Sequence, residues 1–115
     1  MGIELELHSE RPAWSEGDRW DASRGTLLRG SYGHGKALAQ VLARARRSSP
    51  GRLGSLVPFD DTLFDGREAE AALAEIPALL TQCGDDGQLA AVQDLAALLT
   101  SCAATPGSYL WCMGD

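Results

Sequence analysis

The sequence predicts an α+β fold in which about three helices form a small core on a short sheet made by the N- and C-terminal strands. Near the start of the chain, apolar and polar residues alternate with a period of two, and its end is dense in residues that favour strands. Between them, apolar residues recur at helical spacing. Because neither terminal strand is stable alone, we expect the two to pair and the helices to cover one face.

Size and composition support a single domain spanning residues 1–115. Hydrophobic residues make up 44% of the chain and aromatic residues only 6%, so the core must be built mainly from Leu, Ala and Val. No apolar run approaches the roughly 20 residues that span a bilayer. The start of the chain has acidic residues where a signal peptide has basic ones. We therefore expect a soluble, cytoplasmic protein.

The first half predicts one strand, a long connection and one helix. The strand has its apolar positions at Ile3, Leu5 and Leu7. Residues 9–30 are polar and read as a long loop or arm, with a possible short strand at 26–28. A helix follows from Lys36, and the sequence Ser-Ser-Pro-Gly at 48–51 ends it. The apolar face of that helix comprises Leu38, Val41, Leu42 and Ala45.

The second half predicts two helical segments and the last strand. Asp65 and Glu68 form a capping box that opens the first segment, and Pro77 should kink it or divide it into two short helices. Gly84 is the expected C-cap. A second box at 85–88 opens a helix that ends before 105–107, and 109–113 form the strand. The expected buried positions of these segments are Leu73, Ile76, Leu80, Leu89, Val92, Ala96 and Leu99.

A glycine-rich stretch, GSYGHGKA at 30–37, fits the phosphate-loop pattern as far as its lysine. Glycine amides can cradle a phosphate and a lysine can neutralise it, at the start of a helix. The candidate ligand-binding residues are Gly30, Gly33, Gly35 and Lys36. Ala37 stands where the pattern has the magnesium-binding Ser or Thr, and the preceding strand is short. Phosphate binding is therefore the alternative, and a turn that leads into the helix is the simpler interpretation.

Neither a catalytic set nor a metal site is expected. Asp60 and Asp61 are adjacent, so in an extended chain they point to opposite sides and cannot act as the paired aspartates of a phosphatase. His34 could act with a carboxylate of the 60–65 segment, which leaves acid–base chemistry as a third hypothesis. The three cysteines form no metal-binding or redox motif. Cys83 and Cys102 fall at apolar helical positions and should be buried.

The charge is unevenly distributed and predicts a protein partner. Residues 1–57 contain nine Lys/Arg and six Asp/Glu, a net charge of +3, whereas 58–115 contain one Lys/Arg and ten Asp/Glu, a net charge of −9. An acidic half disfavours nucleic acid and membrane surfaces and suits a basic protein surface. Trp14 and Trp20 either close the core as a lid or form a hot spot. The candidate partner-binding residues are Asp60, Asp61, Asp85, Asp86, Trp14 and Trp20.

Three segments together resemble an uncharacterised group of small acidic bacterial proteins. They are the run LVPFDDTLF at 56–64, the later helix pair, and the ending YLWCMGD at 109–115. The resemblance covers residues 36–115 and implies no catalytic residues. Small acidic α+β proteins of this kind are sometimes immunity or regulatory partners. We therefore expect a non-enzymatic interaction protein of immunity-like type.

Overall fold

The structure is a computed structural model, and it describes residues 2–9, 27–48, 53 and 62–114. These residues form a four-stranded sheet and four helices. The strands are β1 (Ile3–His8), β2 (Leu27–Ser31), β3 (Thr62–Asp65) and β4 (Tyr109–Gly114). The helices are α1 (Gly35–Ser48), α2 (Gly66–Leu73), α3 (Ile76–Thr81) and α4 (Asp86–Ala104). The predicted α+β class is confirmed.

The two terminal strands lie at the centre of the sheet. The strand order is β2-β1-β4-β3, and every neighbouring pair is antiparallel. β1 and β4 are in register from Ile3 opposite Gly114 to His8 opposite Tyr109. The predicted pairing of the terminal strands is therefore confirmed. β2 and β3 add one strand on each side of this pair.

The hydrophobic core lies between the sheet and the helices. Alternation places every second side chain of β1 and β4 on the same face, and this face packs against α1 and α4. Phe64 of β3 joins it and is fully buried. The core side chains of the sheet are Ile3, Leu5, Leu7, Phe64, Leu110 and Cys112, and those of α4 are Ala91, Val92, Leu95, Leu98, Leu99 and Cys102.

Proline and capping residues set the helix boundaries largely as predicted. Asp65 accepts a hydrogen bond from the backbone N–H of Glu68 at 2.7 Å, and the Glu68 carboxylate accepts one from the N–H of Asp65 at 3.3 Å. This is the capping box of α2. Pro77 lies in the first turn of α3, where its missing N–H removes no helical bond. Two short helices therefore replace one long one, which was one of the two predicted outcomes.

Several local predictions are wrong. The loop predicted for residues 9–30 is wrong for 27–30, because these residues belong to β2, and the possible short strand at 26–28 was predicted too early and too short. Residues 10–26 lie outside the described residues. Gly84 is not a C-cap, since α3 ends at Thr81 and Gln82 caps it. Leu80 and Leu89 are exposed, whereas Leu79 and Gln88 are buried. On α4, apolar residues occur on most sides, so their spacing alone did not show which side faces the core.

Candidate functional site

Two of the three polar side chains of β1, those of Glu6 and His8, are buried on the face of the sheet that points away from the core. We call this the outer face, and it carries Glu6, His8 and Trp111. Strands with this alternation commonly expose their polar residues to solvent, but Glu6 is only 7% exposed and His8 is 0% exposed. The His8 and Trp111 rings lie 5.8 Å apart, centroid to centroid, with their planes inclined by 48°. Glu6, His8 and Trp111 are therefore buried although they lie outside the main core.

The Glu6 carboxylate links two side chains on this face. Its Oε1 atom accepts a hydrogen bond from Nε2 of His8 at 3.0 Å. Its Oε2 atom accepts one from the hydroxyl of Tyr32 at 2.7 Å. Both oxygens thus have a donor, as a buried carboxylate requires. We refer to these three side chains as the Tyr–Glu–His chain.

Tyr32 connects this chain to the surface. Its side chain is half exposed, and its pKa is raised to about 12. Burial of the hydroxyl is the main cause, followed by its hydrogen bond to Glu6 and by the negative charges of Glu6 and Glu4. The last two causes show that the potential beside Tyr32 is negative.

Gly30 makes room for the Tyr32 ring. Gly30 lies opposite Glu6 in the ladder between β2 and β1. A Cβ atom at Gly30 would lie 2.4 Å from both Cζ and Oη of Tyr32, far inside van der Waals contact. Its φ angle is not positive, because Gly107 is the one glycine with positive φ among the described residues. The position therefore needs glycine for space rather than for backbone conformation.

The other glycines of the predicted phosphate loop have different surroundings. Residues 32–34 connect β2 to α1, and the N–H of Leu38 donates to the carbonyl of His34 at 2.9 Å to close the first turn. A Cβ atom at Gly35 would lie 3.3 Å from the backbone N and O of Ile3. Gly33 has no atom within 4 Å of such a position. Lys36 is exposed in the first turn of α1.

The helices of the second half carry three exposed carboxylates, and whether they form a partner-binding surface stays a prediction. From residue 62 to residue 114 the chain carries seven Asp/Glu and one basic residue, Arg67. Asp85, Asp86 and Glu70 are exposed. Asp85 also has a structural role, because its side chain accepts from the backbone N–H of Gln88 at 2.8 Å and caps α4.

A partly buried polar network lies next to Asp85 at the start of α4, and it was not predicted. Oε1 of Gln88 accepts hydrogen bonds from the N–H of Gly84, at 2.7 Å, and from the guanidinium of Arg44. The Gln88 amide donates to Oε1 of Gln40 at 3.0 Å. The network ties α1 to the start of α4.

The remaining candidate residues divide into those the structure describes and those it does not. Asp60, Asp61, Trp14 and Trp20 lie outside the described residues, so their predicted roles stay predictions. The His34 side chain is half-buried.

The burial predicted for two cysteines has a mixed outcome. Cys102 is buried as predicted, and so is Cys112, whereas Cys83 follows α3 and is only half-buried. Burial raises the pKa of the Cys102 and Cys83 thiols. Within 2–9, 27–48, 53 and 62–114, no three His, Cys, Asp or Glu residues are grouped to hold a metal ion. None of the helices that the structure describes is long and apolar enough to cross a bilayer.

Comparison with known proteins identifies no family. No protein-family model matches the chain, and neither does any curated protein or solved structure. The resemblance to small acidic bacterial proteins therefore stays a prediction, and function has to be argued from the residues themselves.

Proposed function

We propose that this chain is a non-enzymatic, cytoplasmic interaction protein, immunity-like or regulatory, whose acidic C-terminal half binds a basic surface on a partner protein. The observation that carries the proposal is the excess of seven carboxylates over one guanidinium between residues 62 and 114. Three of the carboxylates, on Glu70, Asp85 and Asp86, are exposed. Such a surface attracts a partner of opposite charge and speeds the encounter.

The Tyr–Glu–His chain supports a structural role for the titratable groups on the outer face. A general base must reach the proton that it removes from a substrate. His8 is fully buried, and both Glu6 oxygens already accept hydrogen bonds. This arrangement suits a group that fixes β2 and the turn after it against β1. It favours the interaction hypothesis over acid–base catalysis at this face.

The test is salt-dependent recovery of a partner. Tagged protein is used as bait in lysate of the native host, at ionic strengths of about 0.05 M and about 1 M, where the Debye length falls from roughly 14 Å to 3 Å. A basic protein should be recovered at low salt and released at high salt. After mass spectrometry identifies it, its affinity is measured with purified components.

Variants locate the contact. Glu70→Lys combined with Asp86→Lys should weaken the purified complex by roughly tenfold or more, since like charges then face each other. Asp85 is left intact because it caps α4. Lys36→Gln, outside the acidic half, is the control and should bind normally. Failure to recover a partner at any ionic strength, or a complex insensitive to the double substitution, would contradict the proposal.

Anion binding at the glycine-rich turn is the second candidate. In its favour, Lys36 is exposed in the first turn of α1, and that turn contains no carboxylate. Against it, the negative charges of Glu4 and Glu6 act on the adjacent Tyr32. Thermal shift with millimolar phosphate or nucleotide, with and without magnesium, tests the idea. A shift that Lys36→Ala abolishes would support it, and no shift would eliminate it.

A further inference from the structure

We draw no further inference here: the strongest candidate, the exposed apolar edge of strand β2 at Leu27 and Leu28, carries none because nothing in the structure shows what covers it.

Discussion

Replacing Gly30 by alanine should displace Tyr32 from Glu6 and destabilise the protein. The added methyl group would lie 2.4 Å from the Tyr32 ring, so the ring has to move. Any substantial movement breaks the 2.7 Å hydrogen bond between the Tyr32 hydroxyl and Oε2 of Glu6. Glu6 is almost fully buried, so water replaces that donor poorly.

The expected size of the effect is modest. A hydrogen bond to a charged group contributes about 1.5–3 kcal/mol, and we take the lower end because Tyr32 is half exposed. Alanine restricts the unfolded chain more than glycine does, and this stabilises the folded protein by about 0.5 kcal/mol relative to glycine. The gain offsets part of the loss from the broken hydrogen bond. The free energy of unfolding should fall by about 1 kcal/mol, which lowers the midpoint temperature of a domain this size by about 4 °C.

Urea unfolding followed by circular dichroism measures this change, and Gly33→Ala is the matched control. Gly33 belongs to the same glycine-rich stretch, but an added Cβ atom there meets nothing within 4 Å. Its replacement should leave stability unchanged or slightly raised. Ultraviolet titration of Tyr32 is the second measurement: its pKa should fall from about 12 toward the ordinary value of 10.0 in Gly30→Ala.

Three results would refute the steric argument. One is a Gly30→Ala variant that unfolds like the wild type and keeps a Tyr32 pKa of about 12. Another is a Gly33→Ala variant that loses as much stability. The third comes from a background in which Tyr32→Ser has removed the ring. In that background Gly30→Ala should not lower the free energy of unfolding further. An equally large loss of stability there would mean that the backbone at residue 30, rather than the Tyr32 ring, requires glycine.

Three further predictions concern other groups. The pKa of Tyr32 is higher in the folded protein than in the unfolded chain, so protonated Tyr32 stabilises the fold fully below pH 10 and loses this effect between pH 10 and about 12. Urea unfolding across that pH range measures the loss. Asp65→Ala removes the α2 cap and should lower the free energy of unfolding by about 1 kcal/mol. Asp65→Asn keeps a side-chain oxygen that can cap the helix, so it should retain most of the wild-type stability. In native protein at pH 8, Cys83 should react slowly with a thiol reagent while Cys102 stays unmodified until unfolding, as labelling and mass spectrometry can verify.

The sequence predicted the elements whose determinants are local. β1 has a strict period of two, and residues of the Asp65 and Asp85 boxes accept the hydrogen bonds that start α2 and α4. Pro77 divides the middle helical segment because it has no backbone N–H to donate and its ring clashes with the preceding turn of a helix. Each of these signals depends on residues within about four positions of one another, so no tertiary information was needed.

β3 was missed and β2 was predicted only in part, as a possible short strand at 26–28, because both depend on their neighbours. β3 has four residues and β2 has five, too few for an alternation pattern to be distinguished from loop sequence. Both exist because they extend the central pair of β1 and β4. Gly84 was assigned as a C-cap because it follows an apolar run, but the helix had already ended and Gln88 accepts the Gly84 N–H.

The Tyr–Glu–His chain could not have been predicted from spacing. Glu6 and His8 are two positions apart, which places them on one face of a strand but does not say that the face is buried. Tyr32 is 26 positions from Glu6 in the chain and reaches it only because β2 folds back along β1. The one available signal was a glycine two residues before an aromatic residue, which is too common to be informative.

The same geometry bears on whether the glycine-rich stretch binds an anion. In a phosphate loop the glycines free backbone N–H groups to face the ligand. Here Gly30 lies within β2 beneath the Tyr32 ring, and Gly35 packs against the backbone of Ile3, so packing already accounts for both. Glu4 borders Gly35, and its charge adds to that of Glu6 at Tyr32. An anion at Lys36 would have to overcome this field with one lysine and the first turn of α1. The glycines are better explained by the close packing of β1, β2 and α1.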